Sequence, residues 1–316
     1  MINLFKVAKQ LKEKGILGIN SRNYDYILSQ NNRKYFPLVD DKTQTKKIAL
    51  ENGINTTKVI AIINYGYEIK NLLNLVKDYK EFVIKPAQGS GGKGILVIKS
   101  YDENVFITAS NELITLKEIT QHCFNILSGL YSLGGKNDFI IIEELIQFTD
   151  AFKEYSFQGV PDARIIVYRG MPVLAMMRLS TSISKGKANL HQGAVGVGID
   201  LKTGEALCAV MKDKPITHHP DTNADLSKLK IPFWDQHLKI AYRVCDITHL
   251  NYVGSDIVLD KNKGALLLEL NARPGLAIQI ANGIGLKNRL DIVDKNTALI
   301  KNMNDKDKFD FICKYF

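Results

Sequence analysis

The sequence predicts an α+β protein with room for two lobes. Two stretches read as β-hairpins: residues 81–100, which turn on a run of glycines, and residues 252–275, which turn at Lys261–Gly264. Helical patterns lie before, between and after them. With 316 residues, 45% hydrophobic and 24% charged, the chain has the composition of a soluble globular protein and can bury a sizeable core.

Leu4, Val7, Ala8 and Leu11 recur at helical spacing up to Gly15, interleaved with Lys6, Lys9, Lys12 and Lys14. A basic amphipathic helix of this kind usually packs on its own domain, and otherwise suits a membrane surface or a partner. Residues 18–37 read as loop with a short helix around Tyr24–Leu28. Asp41 and Gln44 have capping-box spacing and open a helix that runs to Gly53. Lys42 then sits in its first turn, where a cation suits an anionic ligand better than it suits the helix. A strand over Lys58–Ile63 and a helix over Glu68–Tyr79 lead into the glycine hairpin.

That hairpin carries Lys85 on its first strand, then Gly89, Ser90, Gly91, Gly92, Lys93 and Gly94, then the β-branched run Ile95–Ile98. Glycines allow a loop to turn its backbone N–H groups toward phosphate. The spacing Gly89, Gly91, Gly94 mimics a dinucleotide fingerprint, but no helix follows, and Gly94 is followed by Ile95 rather than the Lys-Ser of a Walker loop. A protein-kinase loop has its lysine after the glycines, and no His-Arg-Asp or Asp-Phe-Gly occurs later. Two readings remain: a nucleotide flap with its lysine ahead of the glycines, or an ordinary glycine-rich hairpin.

Leu116–Leu130 has helical periodicity, and Phe139–Ile146 reads as a buried strand ending in Glu143 and Glu144. Residues 147–161 are irregular. Arg164–Tyr168 and Val173–Leu179 form a hairpin, 180–198 a long polar loop, Trp234–Leu250 a helix, and 288–302 a helical tail. In the second hairpin Glu269 and Asn271 share a face, which Asp256 reaches from the partner strand. These hard oxygen donors suit Mg²⁺, and a cation would offset carboxylates set among leucines. The alternative is a polar face on an edge hairpin. Arg178, Lys187 and Arg273 add cations suited to phosphate or carboxylate. His191 suits a base, although a lone histidine is more often structural, and His218-His219 reads as loop surface.

The formal charge of +9 fits an acidic ligand, nucleic acid or an anionic membrane. The lysines are spread rather than blocked, and neither an RNA-binding aromatic motif nor a zinc finger occurs, so nucleic acid is not an expected partner. Cys123, Cys208, Cys245 and Cys313 have no Cys-x-x-Cys spacing and read as reduced, buried thiols of a cytoplasmic protein. No apolar stretch approaches the roughly 20 residues of a membrane span.

In order, Asp-Lys at a helix start, Val-Ile-Lys before the glycine flap, Ile-Glu-Glu-Leu-Ile, Asn-Leu-His-Gln-Gly, and Asp256 followed by Glu-Leu-Asn-Ala-Arg-Pro-Gly resemble the ATP-grasp ligases. Within them the chain resembles the RimK-related α-L-glutamate ligase-like proteins. The resemblance implies an ATP-grasp fold: an N-terminal helical segment at 1–37, a flap-bearing lobe at 38–142, and a metal-bearing lobe at 143–316, clamping ATP with Mg²⁺ or Mn²⁺. By position, Lys42, Lys85 and residues 89–94 would meet ATP, Glu143, Glu144 and Leu145 would face adenine, and Asp162 would lie near the ribose. Lys187 and Leu268 complete the nucleotide contacts, and Asp256, Glu269 and Asn271 would bind the metal. Arg178, Lys85 and Asn189 would act on the γ-phosphate and an acyl-phosphate. The implied activity joins glutamate or a related amino acid to a small molecule, peptide or protein by an amide bond, with a homo-oligomer admitted. A nucleotide-binding regulator without ligase activity and a small-molecule kinase are the alternatives. Two features depart from the relatives: only some forty residues precede Lys42, and residues 147–161 are longer, with Arg273 where a small residue is usual.

Overall fold

Strands of strongly β-branched sequence pair antiparallel into two separate sheets in the computed structural model, which describes residues 4–89, 91–102 and 104–316. Each sheet belongs to one of two compact units.

The smaller unit comprises Asp41–Lys47 and Thr56–Gln147. Its strands are β1 (Val59–Ile63), β2 (Phe82–Pro86), β3 (Leu96–Asp102), β4 (Val105–Thr108), β5 (Leu113–Thr115) and β6 (Ile140–Glu144), in the order β1-β6-β2-β3-β4-β5. Phe82 and Ile84 turn one face of β2 inward, against Ile119, Cys123 and Ile126 of the helix Leu116–Leu127. That helix opens with a capping box in which Thr115 and Glu118 each accept the other's backbone N–H. The expected helix over Glu68–Tyr79 is instead a 3₁₀ segment, Gly66–Asn71, joined to one α-helical turn, Leu72–Val76. The smaller unit runs on to Gln147 and so includes β6, which lies in its sheet between β1 and β2.

The larger unit holds the residues up to Asp40, Ile48–Asn55 and Phe148–Phe316. Its strands are β7 (Asp162–Tyr168), β8 (Met171–Leu179), β9 (Val195–Ile199), β10 (Ala206–Met211), β11 (Lys214–Ile216), β12 (Tyr252–Asp260) and β13 (Gly264–Asn271). The order is β11-β10-β9-β8-β7-β12-β13. Helix Trp234–Thr248 buries Leu238, Ala241 and Val244 in the same core as β7, β8 and β12. β9 falls where a loop was expected. Its Val-Gly-Val-Gly-Ile pattern hides a fully buried strand, and a side chain at Gly198 would strike the backbone oxygen of Ala281 in the helix Ile278–Asn282. The expected C-terminal tail resolves into helices Lys287–Lys295, Thr297–Ile300 and Asp305–Tyr315.

The N-terminal segment belongs to this unit. Tyr26 packs on Tyr168 and Tyr252, with ring centroids 5.4 and 5.8 Å away. Asn31 clasps the backbone of Tyr252 through bonds of 2.7 and 3.0 Å. The helix Leu4–Glu13 behaves differently: from Lys6 onward its residues are exposed, Val7 and Leu11 included, so the expected packing of its apolar face is not seen there. Among the described residues no helix is long and apolar enough to cross a membrane. All four cysteines are free; Cys123 and Cys245 are buried as expected, whereas Cys208 and Cys313 are exposed.

Candidate active site

In the smaller unit the buried carboxylate of Glu143 is the centre of a cationic cluster. Lys85 Nζ lies 2.8 Å from its Oε2 and Lys46 Nζ 3.2 Å from its Oε1, while Thr57 Oγ1 donates to Oε2 at 2.7 Å. Burial alone would raise the Glu143 carboxyl, but Lys85 and Lys46 outweigh it and hold it below the usual range. Burial, reinforced by the neighbouring Lys85, lowers Lys46 to about 8 against the pull of Glu143. The Glu143 Oε1 atom, although beside Lys46, accepts no hydrogen bond within the described residues. Sequence reasoning missed Lys46, whose signal was its place one turn after Lys42 on the same helix.

The glycine loop is held at its first root. Asp138, itself buried, accepts the N–H of Gln88 at 3.0 Å and of Phe139 at 2.7 Å. Lys42 donates from its backbone to Ala87 at 3.1 Å and from Nζ to Gly89 at 2.7 Å. Gly91, Gly92 and Gly94 all take left-handed backbone angles, and Lys93 between them is exposed. Ser90 lies outside the described residues. Glu144 turns from Glu143 to meet Lys58 at 3.5 Å, and Leu145 is half-buried.

In the larger unit β7, β8, β12 and β13 bring a second cluster together. Register sets Asp162 opposite Arg178 and Asp256 opposite both Arg164 and Glu269. Arg178 grips Asp162 with Nε and NH2 at 2.5 and 2.6 Å, and reaches Asp256 Oδ2 at 2.8 Å. Arg164 meets both oxygens of Asp256. Burial pushes the Asp162 carboxyl up more strongly than Arg178 pulls it down, whereas at Asp256 the two arginines outweigh burial and keep it charged. Asn271 Nδ2 is 3.4 Å from Asp256 Oδ2, and the Glu269 carboxyl meets that of Asp256. Leu268 is the extra residue of a β-bulge, since the partner of Asp256 is Glu269 and that of Ile257 is Leu267.

The sequence expected a metal to neutralise Asp256; two arginines already do much of that work. Arg164 went unnoticed because one arginine within a β-branched run reads as an outward residue. The oxygens of Asp256, Glu269 and Asn271 are of the hard kind a divalent cation takes, and both Asp256 oxygens are here engaged by guanidiniums. Three carboxylates (Asp162, Asp256 and Glu269) face two guanidiniums, and carboxyls in contact favour a cation or a shared proton. Among the described residues no group of three or more His, Cys, Asp or Glu side chains is arranged to hold a metal; this set offers two carboxylates and an amide.

Other expected residues sit differently. Arg273 turns to Asp40 at 3.7 Å and stacks on Phe36, apart from the acidic set. Asn189 Oδ1 caps a short turn by accepting the His191 N–H at 3.0 Å. Lys187 is half-buried in the same loop. His219 is buried rather than on the surface, with Nε2 3.1 Å from the Ser180 oxygen. Asp221, just after it, accepts the N–H of Ser182 at 2.8 Å and its hydroxyl at 2.5 Å. The loop after β8 is thereby pinned.

A model of the sugar-transfer associated ATP-grasp family matches residues 21–295. No curated protein matches the sequence. Among solved structures, the chain is similar to the ATP-grasp ligase PsnB complexed with a minimal precursor, at 12% identity and TM-score 0.46 over 85% of this chain. It spans 63% of that chain's length. D-Alanine–D-alanine ligase from Bacillus anthracis is similar at 14% identity and TM-score 0.48, over 88% of this chain and 72% of that one. For D-cycloserine synthetase DcsG the values are 10%, 0.44, 84% and 71%. None of these likenesses assigns this chain a substrate.

Proposed function

The chain belongs to the sugar-transfer associated ATP-grasp family, and from that premise we propose that it is an ATP-dependent carboxylate–amine ligase. A carboxylate oxygen attacks the γ-phosphorus, releasing ADP and leaving an acyl-phosphate; an amine then displaces phosphate and forms an amide. The observation that carries this reading is the hydrogen-bonded set of Arg178, Asp256 and Asn271, with Glu269 against it, on one face of the larger sheet. Such a set offers a cation for transferring oxygens beside ligands for a second cation.

Asp256, Glu269 and Asn271 would hold Mg²⁺, which when bound neutralises phosphate charge. Lys85 and Lys42 supply fixed positive charge for phosphates, and the glycine loop supplies backbone N–H groups. Glu143, Glu144 and Leu145, on and just after β6, are the residues assigned to face adenine. The family description supports a product in saccharide chemistry, with a sugar acid as one candidate for the activated carboxylate. Glutamate, implied by the sequence resemblance, is a second candidate partner.

The test incubates the protein with Mg-ATP, a panel of sugar acids and free amino acids including glutamate, and follows phosphate release with product mass. A mass equal to two components minus water, with ADP and phosphate, is expected. ADP with a stable phosphorylated product would replace the ligase reading by a kinase. ATP binding without turnover across the panel would leave a nucleotide-binding regulator.

A further inference from the structure

A cavity of about 240 Å³ opens in the larger unit between Leu190, His191, Val210, Lys212, Asp213 and Ala277. Its polar members are a lysine, an aspartate and a histidine, all at the exposed mouth, whose side chains make no hydrogen bond or ion pair within the described residues. Its other walls are aliphatic. Lys212 and Asp213 are the two loop residues of the β10–β11 hairpin, and both have left-handed backbone angles, φ 50° and 61°. That two-residue turn ordinarily selects Asn-Gly. A lysine there is strained, and strain held at a cavity wall points to a side chain kept for use.

Strand register ties this cavity to the acidic cluster. Met211, just before the turn, pairs with Val195, and Val195 pairs with Leu179, the neighbour of Arg178. The turn therefore lies at the same end of the sheet as Arg178 and Asp162. It is two strands over from β8, or about 10 Å at the usual inter-strand spacing. Leu190 and His191 directly follow Asn189, and Ala277 follows the Asn-Ala-Arg-Pro-Gly run that begins with Asn271.

We propose that this cavity is the subsite for the amine substrate, a free amino acid with a small aliphatic side chain. The proposal rests on the ligase reading and specifies its substrate class. Lys212 pairs with the carboxylate of the amino acid and Asp213 with its ammonium group. Leu190, Val210 and Ala277 take up the side chain, and His191 adds a hydrogen bond to either polar end. One positive and one negative side chain on adjacent residues select a zwitterion over a simple acid or amine. The wall that takes the side chain is aliphatic, so the added apolar contact favours alanine or valine over glutamate.

The experiment is ligand-observed NMR on the whole protein with Mg²⁺ and a non-hydrolysable ATP analogue present. The probes are alanine, valine and glutamate in both enantiomers, with alaninamide and N-acetylalanine as controls. Alanine or valine is expected to bind, with each control at least about tenfold weaker. Lys212→Asn and Asp213→Asn should weaken binding by a similar factor; asparagine tolerates the left-handed turn, so both variants keep the hairpin. No binding of any aliphatic amino acid, a preference for glutamate, or unchanged affinity in both variants would overturn the assignment. Because no turnover is involved, binding at this cavity without any amide product would fault the ligase reading alone. Amide formation with an unchanged KM for the amino acid in both variants would fault the cavity alone.

Discussion

Arg164 lays its guanidinium as a fork across Asp256, with Nε 2.7 Å from Oδ1 and NH2 2.5 Å from Oδ2. Asp256 is fully buried, and Arg178 approaches the same Oδ2 from β8. The carboxylate is thus fixed in charge and direction by side chains from β7, its neighbour in the sheet, and from β8, the strand beyond. Arg164 thereby orients Asp256.

Removing that fork leaves a buried carboxylate with one guanidinium. Arg164→Leu should destabilise the larger unit by roughly 3 kcal/mol, the usual cost of breaking a buried pair. Chemical denaturation reads this directly. A loss under roughly 1 kcal/mol would mean that the pair behaves like a surface ion pair.

Glu269 and Asn271 are only half-buried, so their truncation tests chemistry more than stability. Glu269→Ala and Asn271→Ala should each cut ATP turnover by about 100-fold or more, as loss of several kcal/mol of charge stabilisation implies. Chelation of Mg²⁺ should do the same to the wild type. Substantial turnover by Glu269→Ala would remove this residue from the metal set.

Lys46 gives a pH signature. Its ammonium group titrates near 8 in the folded protein against an ordinary 10.5. Between those values the folded state has released a proton that the unfolded chain still holds. Its contribution to stability therefore rises with pH across that window, by up to about 3 kcal/mol. Below pH 8 the full cost of the buried charge is present. The stability difference between wild type and Lys46→Met, measured from pH 7 to 10.5, should carry this slope; a flat difference would show that burial does not depress the group.

Asp221 holds the loop after β8 through the backbone and hydroxyl of Ser182. It is exposed, so Asp221→Ala should cost little global stability, under about 1 kcal/mol. Amide exchange at residues 182–187 should accelerate and kcat should fall, with ATP affinity kept. Unchanged exchange in the loop would show that His219 and the Ser180 oxygen suffice to pin it.

Much of this was legible in the sequence where a pattern was local. The alternation of β12 and β13 placed Asp256, Glu269 and Asn271 on one hairpin, and the glycine run marked the loop between β2 and β3. Long-range pairing hid the rest. Arg164 acquires meaning only when β7 lies beside β12, and nothing in Ala-Arg-Ile-Ile-Val-Tyr announces that neighbour. β9 escaped because its glycines, needed where Ala281 comes close, dilute the strand signal. Asp138 carries no local signal, because its role as acceptor for the N–H groups of Gln88 and Phe139 exists only in the fold. Arg273 was misjudged for the opposite reason: sequence proximity to Asn271 suggested a shared task, and Phe36 claimed its guanidinium.

All nine residues of β12, Tyr252–Asp260, are buried. The proposed metal-binding acid is therefore embedded in one of the best-protected segments of its unit, not in a loop that can fray. Heat inactivation should then coincide with melting of the larger sheet rather than precede it, and sublethal warming should leave the acid's geometry intact. The same placement constrains how this protein can change over generations. The exposed Lys212–Asp213 turn can change without disturbing this core, while drift at Asp256 is answered first by misfolding.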